Sequence, residues 1–477
     1  MQTVLAWVFL PCLVLLAYPM AYQCLRKQGE TWLSLPLMLG LSAGLIAMIS
    51  FVFGLVGVPL RWEFITPVYL VITIPFLRGF QKADLPRFQV EPNKRWFMIA
   101  LSIFCLGSLF TALYWPFYRD DTLGIYLPAA QTMFQTGRLE PLIGADSLYR
   151  AYPILIPLQY VYVFSLSGWE NEYLAKLIPT LMGLACMPLV YGLAKRMHPR
   201  AGWVAVGILA FTPSYIRWIA AGYVDLPMAF YLLLALHFSL RLWDHKQARD
   251  AILLGVMIGL ATFTKNAALV SVPLFGGALI IAWLTKRVTL RHVLIVALST
   301  ALIGGGWYLR NLIGAGFIMP DTAWTEQAEH TVANLFVFVS NPLNFLISGV
   351  IVTLSIFYGV WQIITRRFDA ITELLILGIS LPFFFAWWWL TSYDPRFLLL
   401  FYPPLCALGA SMAMRVYDRC PAPFQSWIYR IAIVYSVVLI AYGAWTAIEY
   451  KNSLIHGIGY SHEEKLMIVG RIPSISE

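Results

Sequence analysis

Residues 33–53 read LSLPLMLGLSAGLIAMISFVF, an uncharged apolar run, and this stretch decides the architecture. A helix that crosses a bilayer needs about 20 consecutive, mostly apolar residues. Working outward, comparable runs recur at 3–25, 63–79, 96–115, 173–194, 201–220, 223–241, 250–264, 267–284, 293–312, 345–365, 372–391, 397–415 and 428–447. The expected fold is therefore all-α: a polytopic transmembrane helical bundle of about 13 to 14 spans. Segment 151–168 is also apolar, but Pro153 and Pro157 interrupt it, which suits a re-entrant or interfacial helix. Residues 1–25 lack a basic leading region and are followed by Arg26 and Lys27, so they read as a retained helix with its N-terminus outside.

Composition agrees. The 477 residues are 60% hydrophobic and 12% charged, where a soluble domain carries about 25% charged residues. Nothing is left over for a soluble catalytic domain or a nucleic-acid module. The net charge of +9 has a topological origin. Lys195, Arg196, Arg200, Arg241, Lys246, Arg249, Lys286, Arg287, Arg291, Arg415 and Arg419 fall in alternate loops, as expected when basic side chains stay on the cytoplasmic side during insertion. Most acidic residues then face outward, and two outer loops are long, 116–172 and 313–344. Long loops in a tightly connected protein are the usual carriers of function. Cys12, Cys24, Cys105, Cys186, Cys406 and Cys420 show no paired spacing and read as apolar packing residues. Gly304, Gly305 and Gly306 lie inside a span, where small residues permit close helix contact.

The sharpest local signal follows the fourth span: Tyr114-Trp115-Pro116-Phe117-Tyr118-Arg119-Asp120-Asp121. Its aromatic residues mark the headgroup belt. Two carboxylates held just beyond that belt sit in a medium of reduced dielectric, where a pKa rises toward the value a general base needs. The plain alternative is that Asp120 and Asp121 only cap the amphipathic helix expected at 128–136 or solvate the loop. Further charged residues occur at outer span ends: Asp225 before Pro227, Lys265 and Asn266 at a turn, Arg310 and Asn311 closing a span, and the turn Asp394-Pro395-Arg396. Each cation alone is explained by snorkelling. Jointly, acids and bases from distant parts of the chain at one depth describe a site for an anionic group at the membrane surface.

An ordered series of motifs resembles the polytopic GT-C glycosyltransferases, which include the protein mannosyltransferases and the aminoarabinose transferase of lipid A. The series runs Asp121-Thr122-Leu123, Tyr126-Leu127-Pro128, Gly137-Arg138-Leu139, Tyr152-Pro153, Ala175-Lys176-Leu177, Val224-Asp225-Leu226-Pro227, Thr264-Lys265, Trp307-Tyr308-Leu309-Arg310-Asn311, Pro395-Arg396-Phe397-Leu398 and Tyr402-Pro403-Pro404. The resemblance implies extra N-terminal helices at 1–95, a GT-C-like catalytic unit at 96–415, and a last helix with a short outer tail at 416–477. It also implies transfer of a sugar from a polyprenyl-phosphate donor to a lipid, glycan or protein acceptor, on the outer side of the inner or plasma membrane.

In that reading Asp121 is the base of an inverting displacement, Asp120 assists or orients it, and Asp225 binds the acceptor or shares the acidic role. Lys265, Arg310 and Arg396 take the donor phosphate, and Tyr152, Glu326 and His330 are acceptor or loop residues. Some members of the family bind a divalent metal through an acid and a histidine in outer loops, and here Glu326 with His330 would be that pair. Two rival classes are an O-antigen ligase or polymerase, and a multi-span lipid or sugar transporter.

Overall fold

The computed structural model describes residues 2–25, 31–81, 95–139, 151–319, 326–366, 370–449 and 459–472. Among these the chain is helical throughout, without strands. Asp321 and the basic residues Arg26, Lys27, Lys82, Arg87 and Lys94 lie outside the described residues.

In chain order the elements are α1 (Gln2–Leu16), α2 (Tyr18–Leu25), α3 (Ser34–Val56), α4 (Trp62–Thr73), α5 (Arg95–Tyr114), α6 (Leu127–Thr136), α7 (Leu155–Ser167), α8 (Leu177–Met197), α9 (Ala201–Ala210), α10 (Pro213–Trp218), α11 (Asp225–His245), α12 (Ala248–Thr264), α13 (Ser271–Leu284), α14 (Leu290–Thr300), α15 (Gly306–Ala315), α16 (Pro342–Arg366), α17 (Ile371–Leu390), α18 (Tyr402–Arg419), α19 (Ala422–Glu449) and α20 (His462–Ile468). Nine helices among the described residues are long and apolar enough to cross a membrane. That is fewer than the sequence suggested, and proline accounts for part of the difference. The stretch 201–220 breaks at Thr212-Pro213 into α9 and α10, because the Pro213 ring leaves the preceding residue extended. The stretch 397–415 opens instead with a tight turn over Pro395–Leu400, and its helix starts at Tyr402.

Helix α11 is the axis of the molecule. Nearly all its side chains are buried, and it packs against α12 and α8, with the Pro395–Leu400 turn lying across its first residues. Helix α7 is as dry, wedged against α1, α3 and α6. Its Gln159 would be costly there without a partner, and its amide donates to the Ala43 carbonyl at 2.8 Å. The periphery is the reverse. Leu290, Leu294, Leu298 and Leu302 form an exposed stripe spaced four apart along α14 and the turn that follows, one helical face turned outward. In water such a stripe would be unfavourable, whereas hydrocarbon is its natural solvent.

Helix α14 passes into α15 through a wide turn at Ala301–Gly305 that lies on α12. A Cβ added at Gly304 would stand 2.1 Å from Thr262 Oγ1 and 2.9 Å from the Gly259 carbonyl oxygen, whereas one at Gly305 would meet nothing within 4 Å. Gly304→Ala is expected to destabilise the protein by about 1–3 kcal/mol, the usual cost of overpacking, and Gly305→Ala to be close to neutral. Thermal unfolding of the two variants in detergent checks the contrast.

Candidate active site

Five side chains from four distant segments meet at one end of α11. Asp225, its first residue, accepts from Lys265 Nζ at 2.5 Å. Arg396 Nε lies 3.7 Å from the second oxygen of Asp225, and Arg396 Nη2 donates to Asp121 Oδ2 at 2.7 Å. Asp394 completes the set, with Oδ2 at 3.4 Å from Arg396 Nε and Oδ1 accepting the Arg396 backbone N–H at 2.8 Å. One guanidinium thus serves three carboxylates. A planar, permanently charged fork suits that task, which the point charge of lysine could not perform.

Local structure explains the convergence. Pro395 starts the tight turn, and the Asp394 carboxylate caps it, so the Arg396 side chain is aimed at α11. Lys265 stands where α12 ends in extended backbone. Asp121 belongs to the turn entering α6, where its backbone N–H donates to Tyr223 Oη at 3.2 Å. Thr122 Oγ1 beside it reaches the Ala221 carbonyl at 3.4 Å. The Asp121 side chain makes no capping hydrogen bond, so the capping explanation of this acid does not hold.

The surroundings are dry and aromatic. The Arg396 guanidinium lies over the rings of Tyr223 (4.5 Å), Phe397 (4.6 Å) and Trp218 (5.3 Å), and Lys265 lies over Phe397 (4.3 Å). Ring faces attract cations most strongly where water is excluded. Arg396 is 6% exposed and Asp225 3%, while Asp121 keeps 32% of its side-chain surface open. Burial lifts the Asp121 carboxyl above its ordinary 3.8, a rise that the charges of Arg396 and Lys265 oppose without cancelling. Burial, reinforced by Asp121 and Asp225, also raises the neighbouring Tyr126 phenol, which stays protonated and available as a donor. Arg396 moves upward as well: burial works against its charge, but Asp225, Asp121 and Asp394 outweigh it.

Of the residues singled out from sequence, Asp121, Asp225, Lys265 and Arg396 therefore come together. Asp120 is exposed, and its charge acts on Tyr223. Arg310 lies over the Trp307 ring at 4.6 Å. Trp307 Nε1 and Asn311 Nδ2 both donate to the Ala151 carbonyl, at 3.2 and 3.1 Å, which fixes the backbone next to Tyr152. Tyr152 in turn acts electrostatically on Tyr126. Glu326 is exposed, and His330 bonds to the Trp389 carbonyl at 2.9 Å with its ring stacked on Trp389. Among the described residues no three of His, Cys, Asp and Glu gather as metal ligands. Tyr223, Trp218, Tyr126 and Asp394 were given no role in the site from sequence. Asp394 carried a sequence signal in its place before Pro395 at a turn, and Tyr126 in the motif Tyr126-Leu127-Pro128.

The family of dolichyl-phosphate-mannose-protein mannosyltransferases matches over residues 152–305. The lipid A galacturonosyltransferase RgtD of Rhizobium johnstonii is 25% identical over 281 residues, covering 55% of this chain and 54% of that protein. The chain thus spans about half the length of this curated relative. Among solved structures, ArnT from Cupriavidus metallidurans, crystallised bound to undecaprenyl phosphate, superposes with a TM-score of 0.55 at 17% identity, over 79% of this chain and 75% of that one. The Archaeoglobus fulgidus oligosaccharyltransferase, in complex with Zn and sulfate, gives 0.53 at 18% identity, over 73% and 53%. The structural matches show a GT-C fold, shared with ArnT and with the oligosaccharyltransferase.

Removing the shared cation should expose what it balances. Arg396→Leu leaves Asp225 buried beside Asp121, and breaking such a pair costs about 3 kcal/mol or more. The loss is expected to be larger at pH 8 than at pH 5, because the orphaned carboxylates repel one another only when ionised. Thermal melts of both proteins across that range measure it, and an equal loss at the two pH values would count against the shared-cation reading.

Proposed function

We propose that the protein is a membrane glycosyltransferase that moves a sugar from a polyprenyl-phosphate donor to an acceptor hydroxyl at the outer face of the membrane, by a single inverting displacement. The observation that carries this reading is a half-open carboxylate, Asp121, bonded to the buried guanidinium of Arg396 and acted on by the charge of Lys265, which is itself paired with Asp225, at one end of the helix bundle. Its relatives support the donor class: ArnT is described as bound to undecaprenyl phosphate, and RgtD is named a lipid A galacturonosyltransferase.

The chemistry follows from what such a transfer needs. A donor with a long isoprenoid tail keeps that tail in hydrocarbon and its phosphate at headgroup depth, which suits charged groups at a helix end. The acceptor oxygen attacks the anomeric carbon, the bond from that carbon to the phosphate oxygen breaks, and lipid phosphate leaves with the electron pair. Asp121 takes the acceptor proton. Lys265 and Arg396 stabilise the charge that grows on the departing phosphate. An arriving phosphate competes with the carboxylates for these cations, so donor binding loosens Asp121 from Arg396 as the base is required. Asp225, fully buried against Lys265, holds the cations in place.

The rival transporter reading would put charges near the middle of a span. In α11 the buried charges are Asp225 at the first residue and Arg241 near the last, the latter paired with Asp250 at 3.1 Å.

Asp121→Asn is expected to fold normally and to lose at least about 100-fold in transfer, the usual worth of a general base. In the unmodified protein kcat/KM should fall as pH drops through the Asp121 pKa. Because that value lies above 3.8, the acid limb should sit above the ordinary carboxylate range, and Asp120→Asn should leave it in place. Release of lipid phosphate from polyprenyl-phosphate sugars by purified protein is the measurement, and near-normal transfer by Asp121→Asn would sink the assignment.

A further inference from the structure

The segment 459–472 returns to the loop that carries Asp121, across some 350 residues of chain. Helix α20 begins with a capping box between Ser461 and Glu464. The segment rests on an aromatic platform: Lys465 Nζ lies 3.9 Å from the Tyr114 ring centre and 5.2 Å from that of Tyr173, and His462 Nδ1 meets Tyr173 Oη at 2.7 Å. Just past the helix, Arg471 Nη1 donates to both Glu172 oxygens, at 2.7 and 2.6 Å, and to the Phe117 carbonyl at 3.4 Å.

Glu172 is 6% exposed at its side chain, and its Oε2 accepts the Phe117 backbone N–H at 2.8 Å. Lys176, one turn further on and wholly buried, donates from Nζ to the Pro116 carbonyl at 3.2 Å. Both backbone polar groups of Phe117 and the carbonyl before it are thus held by charged side chains. Phe117 is itself locked: its ring is buried against Tyr160 with centroids 5.1 Å apart. It also presses on Gly222, where an added Cβ would come within 2.4 Å of the ring. Gly222 precedes Tyr223, whose hydroxyl accepts the Asp121 N–H. Only three residues lie between the clamped Phe117 and Asp121.

We propose that Arg471 is a positioning residue for the base: by neutralising Glu172 it lets that carboxylate grip the Phe117 amide and so fixes the height at which Asp121 meets Arg396. A buried carboxylate without its cation is costly, so without Arg471 the Glu172 side chain turns toward water and releases the amide. The loop then slackens, and misplacement of a reacting group by about 1 Å is enough to cost up to 100-fold in rate. The kinetic part of this inference rests on the transferase reading, while the clamp itself does not.

The test compares Arg471→Ala, Arg471→Lys and Glu172→Gln in the full chain. Arg471→Ala should lower kcat about tenfold with donor KM unchanged, displace the acid limb of the kcat/KM profile, and speed amide hydrogen exchange in the segment 116–122 but not in α11. Arg471→Lys keeps the charge and should recover most of the rate and the original pH profile, which a purely structural strap would not require. Glu172→Gln should repeat the alanine phenotype, and it serves if Arg471→Ala does not yield folded protein. Unchanged kcat, pH profile and loop exchange in either charge-removing variant would overturn the proposal. If the unmodified protein releases no lipid phosphate from any polyprenyl-phosphate sugar, the transferase reading fails, and the exchange of segment 116–122 alone decides the clamp.

Discussion

A guanidinium buried to 6% exposure and shared by Asp121, Asp225 and Asp394 is the constraint on which the rest of this molecule depends. Charges are expelled from a dry interior unless each finds a partner. The partners of Arg396 come from the loop after α5, the start of α11 and the turn before α18, so those segments must stay in register for any of them to be tolerable. The surrounding rings raise the stakes, because Tyr223, Phe397 and Trp218 exclude water that would otherwise screen a misplaced charge. The same arrangement leaves Asp121 with a raised pKa and an open edge, properties that a structural ion pair alone would not need.

Helix α11 turns this local constraint into an architecture. It is buried along nearly its whole length, so its ends are the places where charge can be introduced at bearable cost. Both ends use that freedom, one with Asp225 against Lys265 and Arg396, the other with Arg241 against Asp250. The helix N-terminus also favours a carboxylate at its first turn through the aligned peptide dipoles. An acid at that position beside two cations combines helix electrostatics and site electrostatics in a single residue.

Much of this was legible in the chain because membranes simplify the reading. Where about 20 residues must be apolar to span, the exceptions announce themselves, and Asp121, Asp225, Lys265 and Arg396 were visible as charges at the edges of apolar runs. Span counting was less secure. Hydropathy averages over Thr212-Pro213 and over Pro395–Leu400, where proline ends or delays a helix, so broken segments counted as whole ones. Long-range pairing was not legible at all. Nothing in the neighbourhood of Arg310 distinguishes it from Arg396, yet one lies over Trp307 and the other over three acids. Tyr223 and Trp218 carry no charge to flag them. Arg471 sits in a tail with no pattern, and its partner Glu172 is some 300 residues away.

The pattern of conserved fold and divergent detail has a physical reason. Likeness to ArnT and to an oligosaccharyltransferase at under a fifth identity shows that many sequences satisfy the demand for apolar helices of the right length. A lipid-facing stripe such as Leu290, Leu294, Leu298 and Leu302 accepts any apolar side chain, because hydrocarbon discriminates little among them. Charged clusters are less forgiving, since every member of such a set is costly without the others. By the same argument the five side chains clustered at the head of α11 tolerate substitution least, because each charge there is balanced by the others.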